Sequence, residues 1–231
     1  MSRKVAPLTL DRFEELHAPC RSCLFWELDP VRRGRVLPGE EAGEKDAWLS
    51  RVLREWGSCG RVVLVDDQPV GYVIYVPAAY VPGAAGFPTA PVSSDAVLMT
   101  TMWVHPDHRG GGLGRMLIQG MARDLIERGG IRAVEAFGDR GMRSGVHGQR
   151  CAAPEPFLAR VGFKTHRPHP TAPRLRMDLR GALRWREEVE GALERLLGVV
   201  RPKQPAPKAT RTFRRAGSKT RLPRRREAPG Q

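Results

Sequence analysis

Apolar side chains recur along this chain at two spacings, and the spacing decides the element. Leu10, Phe13 and Leu16 fall three apart behind Thr9, whose hydroxyl suits a helix N-cap, so residues 10–16 are predicted as a first short helix. Pro19 ends it. Residues 20–38, with Gly34 and two prolines, read as an irregular excursion. Trp48, Val52 and Leu53 then share one face of a second helix over residues 40–56, and Gly57 stands where a helix end favours positive φ. Two runs rich in β-branched and aromatic residues, 61–65 and 70–76, flank Asp66-Asp67-Gln68 and predict a hairpin. Residues 77–91 carry too much Pro, Gly and Ala for a strand and are expected as a long surface loop. Residues 96–104 are apolar enough for a buried strand. Leu113, Leu117, Met121 and Leu125 mark one face of a helix over residues 113–128, ended by Gly129-Gly130. Strands over 131–137 and 175–179 follow, with a short helix over 156–160 between them, closed by Gly162.

A helix over 183–197 presents Trp185, Val189, Leu193, Leu196 and Leu197 toward a partner surface and is expected to pack back on the domain. Beyond it the pattern fades. Residues 198–231 are rich in Pro, Lys, Arg, Ala and Thr and hold too few large apolar residues to offset the entropy of ordering, so a disordered tail is expected. That tail changes how the charge is read. The 231 residues carry a formal net charge of +14, but the tail has eleven Lys and Arg against the single Glu227, and so holds ten of those charges. The folded part is only mildly basic. No apolar stretch nears the roughly 20 residues of a membrane span, and no secretory signal follows Met1-Ser2-Arg3-Lys4-Val5. Four irregularly spaced cysteines do not make a disulfide framework. The expectation is a cytoplasmic protein with a domain over 1–180, a helix over 181–197 and a tail over 198–231.

A strand that turns through glycines into a helix aims several backbone N–H groups and the positive end of the helix dipole at one spot, which suits a phosphate. His108-Arg109-Gly110-Gly111-Gly112-Leu113-Gly114 is such a turn. Glycine has no Cβ to hold a pyrophosphate off and tolerates the φ values such a nest needs; Arg109 adds a fixed charge. A plain glycine turn is the alternative reading. A dinucleotide fold would place the motif early, among repeated strand-helix-strand units, and this chain does not. The run Val104-His105-Pro106-Asp107-His108-Arg109-Gly110-Gly111-Gly112-Leu113-Gly114 resembles the acetyl-CoA signature of the GNAT superfamily of acyltransferases, R/Q-x-x-G-x-G/A, with Arg109, Gly112 and Gly114 in its named places. The later Phe157-Leu158-Ala159-Arg160-Val161-Gly162-Phe163 is similar to that family's F-Y-x-x-x-G-F segment, and the resemblance covers residues 4–179.

The resemblance implies an α/β fold of the GNAT acyl-CoA N-acyltransferase type, a mixed central sheet with flanking helices, here with the C-terminal helix and the basic tail added. It implies acetyl-CoA as cosubstrate and a pantetheine cleft where the strand ending at Val104 splays from the next. Arg109, Gly110, Gly111, Gly112, Leu113 and Gly114 would hold the pyrophosphate, and backbone groups of Met102, Trp103 and Val104 would bind the pantetheine arm and polarise the thioester carbonyl. Cys151, where the family often has an asparagine facing the pantetheine, joins this site; a small buried core cysteine is the alternative.

Several positions depart from the family. Leu158 takes the place of a tyrosine that reprotonates the CoA thiolate, and leucine has no proton to give. Where relatives put a Glu or His on the fourth strand as base, this chain has Leu98 and Thr100, so Thr100 is the candidate to hold a water. Glu27, in Cys20-Arg21-Ser22-Cys23-Leu24-Phe25-Trp26-Glu27, is the first candidate base, in an excursion that in this family walls the acceptor site; Trp26 would stack there. A solvated loop carboxylate is the alternative. The Cys20 and Cys23 pair also fits half a zinc site, completed by Cys59, Cys151 or a histidine, or a redox pair, and no metal is assigned. His105 and His108 read as phosphate contacts or exposed residues rather than catalysts.

The function expected from this reading is acetyl-CoA-dependent transfer of an acetyl group to a primary amine of a small molecule or protein. Two other classes compete: a catalytically silent acyl-CoA-binding regulator, motivated by Leu158, and an interaction protein that docks on nucleic acid through its tail. No membrane contact is expected.

Overall fold

Alternating side chains along the central strands set the two faces of the fold. A computed structural model describes residues 1–16, 18–141 and 151–179. The helix expected over 183–197, the basic tail, and the stretch that holds His147 and Arg150 lie outside them. In chain order the elements are β1 (Arg3–Pro7), α1 (Leu10–Glu14), α2 (Pro30–Arg33), α3 (Glu41–Glu55), β2 (Gly60–Val65), β3 (Gln68–Val76), β4 (Ala96–Val104), α4 (Leu113–Arg128), β5 (Ala133–Asp139), β6 (Ala153–Pro154), α5 (Glu155–Arg160), β7 (Lys164–Arg167) and β8 (Arg174–Asp178). The sheet runs β1-β2-β3-β4-β5-β8-β7, with β6 beside β5.

Along β2 and β3, Val63, Val65, Val73 and Tyr75 point to one face, and Val62, Leu64, Tyr72, Ile74 and Val76 to the other. Both faces are therefore covered. On the first lie α4 and α5, whose Leu113, Leu117, Met121, Leu125 and Leu158 complete one core. On the second lie α1 and α3, with Phe13, Trp48, Leu49 and Val52. Thr9 caps α1 as expected, accepting from the Arg12 N–H at 3.3 Å. The hairpin turn is Asp66-Asp67, with φ of 47° and 68°, a left-handed region that aspartate tolerates better than most residues.

Two expectations need correction. Residues 77–91 are not a surface loop: they wind through 3-10 turns at Ala78–Tyr80 and Pro82–Gly86 and bury Val81, Ala84, Phe87 and Thr89. The apolar residues are spaced as knobs among the glycines, and they fill the face beside α3. The excursion over 20–38 is likewise part of the core. It holds a 3-10 turn at Pro19–Arg21 and the helix α2, capped by Asp29, and Trp26 sits in a stack with Phe87 and Phe137, with ring centroids 5.1 Å apart for Trp26 and Phe87 and 4.1 Å for Phe87 and Phe137.

The feature that positions the site is in β4. Val73 pairs with Met102, but Tyr75 pairs with Met99, so β4 spends one residue more than β3 around Thr100 and Thr101. Such a bulge bends its strand. The parallel pairing of β4 with β5 is confined to the side before the bulge, at Ala96↔Ala133, Val97↔Val134 and Leu98↔Glu135. Beyond Leu98 the two strands part, and β6 pairs with Gly138 and Asp139 of β5 instead. Since the Gly138 and Arg140 N–H groups already reach Pro173 and Thr171 on the β8 side, β6 takes the side that β4 has left.

Candidate active site

The glycine turn lies between β4 and α4. His105 Nδ1 accepts from the Asp107 N–H and shapes a 3-10 turn at Pro106–His108, after which the chain reaches Arg109. The Arg109 Nε–H donates back to the Val104 carbonyl at 2.9 Å, which closes the turn on the end of β4. Gly110 and Gly112 have φ of 80° and 83°, and Gly112 is the N-cap of α4. A Cβ at either would meet nothing within 4 Å, so these two glycines are required by conformation, not by crowding. No side chain caps α4. Its first N–H groups, unmatched within the helix, are left facing outward at the positive end of a 16-residue dipole.

Gly114 has a different reason. A Cβ there would come within 2.8 Å of Met102 Cε and 3.1 Å of the Phe157 ring, so its smallness lets α4, β4 and α5 meet. Arg3 of β1 adds a contact that sequence spacing does not announce: its guanidinium donates to the Gly111 carbonyl at 2.8 Å and brings a second cation to the turn. Arg109 and Gly110 to Gly114 thus stand together, at the mouth of the gap that opens between β4 and β5. Met102, Trp103 and Val104 lie on the part of β4 beyond its last pair with β5; Cys151 lies two residues before β6, with its sulfur on Cys23.

The Acetyltransferase (GNAT) family model matches residues 11–143. This chain belongs to the GNAT acetyltransferase family. Among solved structures, the PaiA N-acetyltransferase of Thermoplasma acidophilum in complex with coenzyme A aligns at 12% identity over 77% of this chain and 99% of its own, with a TM-score of 0.50. Ard1 of Thermoplasma volcanium aligns at 12% identity over 77% and 98%, with a TM-score of 0.48. The Escherichia coli GNAT family N-acetyltransferase YhbS, in complex with CoA, aligns at 20% identity over 77% and 81%, with a TM-score of 0.44. No curated protein sequence matches the chain. The protein is a GNAT acetyltransferase with acetyl-CoA as cosubstrate, built on the mixed sheet described above. No helix among the described residues is long and apolar enough to cross a membrane.

The other GNAT candidates fall in different surroundings. Glu27 is 1% exposed, and its carboxylate pairs with the buried Lys45 ammonium, which also donates to the Cys23 carbonyl at 2.9 Å. Glu27 is therefore neither a solvated loop carboxylate nor a free base facing an acceptor. Its second oxygen, Oε2, has no hydrogen-bond partner, nor have the nearby buried Trp26 Nε1 and Tyr72 hydroxyl. Trp26 stacks on Phe87 and, at 1% exposure, is closed to an acceptor. The Thr100 hydroxyl is buried at the bulge and donates to the Ile74 carbonyl at 3.5 Å.

Leu158 is fully buried in the α5 core, whereas the half-buried Phe157 is the ring that reaches Gly114. His105 and His108 are partly exposed beside the turn, with ring centroids 5.8 Å apart. The sequence offers Cys59, Cys151 or a histidine as partners of the Cys20 and Cys23 pair, without choosing among them. The fold chooses Cys151, with Cys23 and Cys151 Sγ atoms 3.3 Å apart, while Cys59 is buried and its thiol is pushed up to about 12 by that burial. Among the described residues no group of three or more His, Cys, Asp or Glu is placed to hold a metal ion. A cavity of about 600 Å³ lined by Val161, His166 and Arg176 shares no residue with the glycine turn.

Proposed function

We propose that this enzyme transfers the acetyl group of acetyl-CoA directly to a primary amine, without an acyl-enzyme. The observation that carries the reading is the uncapped N-terminus of α4, with left-handed glycines before it, set at the mouth of the gap between β4 and β5. The N–H groups of Gly110, Gly111, Gly112, Leu113 and Gly114 suit a pyrophosphate, and Arg109 and Arg3 add charge beside them. The gap takes an extended arm, which would replace β5 as the hydrogen-bonding neighbour of Met102, Trp103 and Val104. Backbone donors there would stabilise the oxyanion as the amine attacks the thioester carbonyl. In this reading Cys151 would face the arm from the opposite wall.

Proton transfer is the open demand on such a site. An alkyl ammonium with a pKa of about 10.4 must lose a proton before it attacks. Glu27 is held by Lys45 and Thr100 is no base, so in this reading the proton passes to water at the bulge, which Thr100 can help to hold. The leaving thiolate needs less help: a thiol pKa of about 8.5 makes it a fair leaving group near neutrality. Leu158 in place of an acid then slows the reaction without forbidding it.

The test is release of free thiol from acetyl-CoA by the full-length protein, read against a panel of small amines and peptide N-termini. Amine-dependent release is expected. Tight acetyl-CoA binding with no release across the panel would favour the competing reading, a silent acyl-CoA-binding regulator, which rests on Leu158.

A further inference from the structure

Three of the four cysteines converge from distant parts of the chain. Cys20 lies in the 3-10 turn Pro19–Arg21, Cys23 follows it with its N–H on the Cys20 carbonyl at 3.3 Å, and Cys151 enters from just before β6. Cys23 Sγ and Cys151 Sγ are 3.3 Å apart across a sequence separation of 128. That is a sulfur–sulfur hydrogen-bond distance. A disulfide needs about 2.05 Å, so closure asks for a movement of little more than 1 Å. All three side chains keep partial exposure, and Cys59, which is fully buried, takes no part.

We propose that Cys23 and Cys151 are a reversible thiol–disulfide pair that a hydroperoxide oxidises in the folded enzyme. The inference does not rest on the amine-transfer reading, although that reading also gives Cys151 a place beside the acyl-CoA arm.

The asymmetry of the pair assigns the steps. A hydrogen bond donated by Cys151 lowers Cys23 from the ordinary thiol range to about 6, and Cys20 is lowered by the same donor, while Cys151 is pushed up. Cys23 is thus the nucleophile. Its thiolate attacks one oxygen of the peroxide, the O–O bond breaks, and the second oxygen leaves as hydroxide and takes a proton to become water. Cys23 is now a sulfenic acid. The Cys151 sulfur then attacks Cys23 Sγ, the S–O bond breaks, a second water leaves with the Cys151 proton, and the S–S bond forms. Two electrons pass from the two thiols to one peroxide. The bond would fasten the excursion after α1 to the segment that leads into β6 and α5.

The titratable groups around Cys23 are Cys20, Cys151, the Glu27 and Lys45 pair, and the buried Tyr72 hydroxyl. A pH profile of Cys23 must be read against all of them. The experiment treats the reduced full-length protein with one equivalent of hydrogen peroxide at pH 7, followed by non-reducing peptide mapping. The expected product is a single Cys23–Cys151 cross-linked peptide, removed by dithiothreitol, with two thiols lost. Cys20→Ser should keep the cross-link, and Cys23→Ser and Cys151→Ser should each abolish it with the fold intact by circular dichroism. In pulse alkylation of the wild type, Cys23 should label first, with an inflection near pH 6 that moves upward in Cys151→Ala, which removes the donor. A main product linking Cys20 to Cys23, or two protein molecules, would overturn the proposal. So would stoichiometric zinc whose removal is needed before any of the thiols react.

Discussion

Gly112 and Gly114 stand two residues apart and are needed for unlike reasons. At Gly112 the backbone is left-handed and the space around it open, so an alanine brings strain of about 1–2 kcal/mol and no clash. The cheapest relief is a rotation of the peptide units, which would turn their N–H groups away from the phosphate position. Gly112→Ala should therefore weaken CoA binding at least about tenfold, roughly 1.4 kcal/mol, with a melting temperature within a few degrees of wild type. At Gly114 a valine would meet Met102 and Phe157 and should cost about 1–3 kcal/mol of stability by overpacking. Calorimetric titration with CoA and thermal unfolding of both variants check the pair. Wild-type affinity in Gly112→Ala would remove the phosphate-nest reading. Glu27 shows the limit of local reading at this scale. It stands between Trp26 and Leu28, and nothing in that local run announces that Lys45, 18 positions on, will be buried against it. Breaking such a pair costs more than never having formed it.

At the level of elements, sequence reading succeeds where one periodicity persists. Helix α4 matches its expected range to the residue, because Leu113, Leu117, Met121 and Leu125 repeat over four turns with charge between them. The hairpin and β4 follow for the same reason, and the glycine turn is legible because its residues are contiguous. Strands β1, β6 and β7 were beyond it. Arg3–Pro7 has little apolar character and becomes a strand by pairing with β2; Lys164–Arg167 is exposed throughout; β6 is two residues long. The burial of residues 77–91 was also hidden, since Pro, Gly and Ala commonly mark surfaces. Gly83 supplies the test. A Cβ there would lie 1.9 Å from the Phe25 carbonyl oxygen, and the Gly83 N–H donates to the Trp26 carbonyl at 3.1 Å. Gly83→Ala should lower unfolding stability by about 3 kcal/mol, near the top of the overpacking range, and disturb the near-ultraviolet signal of the Trp26 stack. Denaturant unfolding that matches wild type would show that this loop is not packed on the excursion.

Across the whole molecule, charge and chemistry are kept in different places. Ten of the fourteen net positive charges lie in residues 198–231, whereas the glycine turn, the gap and the cysteines all lie before residue 152. A truncation after Leu197 should keep CoA affinity and thiol release, and lose binding to a nucleic acid, a contact expected to fall steeply with salt. Loss of CoA binding at unchanged stability would instead make the tail part of the site; gel shifts at two salt concentrations and calorimetry decide. The short parallel pairing of β4 with β5 has its own consequence at this scale. The sheet amounts to two antiparallel ribbons, β1 to β4 and β5-β8-β7, riveted along three residues. Anything bound across the opening fastens those ribbons a second time, so occupancy and cohesion are one equilibrium. At a hundredfold excess over the dissociation constant it adds about 2.7 kcal/mol to global stability. Amide protons of Ala133, Val134 and Glu135 should then exchange with solvent most slowly when the enzyme is saturated, and fraying of this seam would be the earliest sign of an empty one.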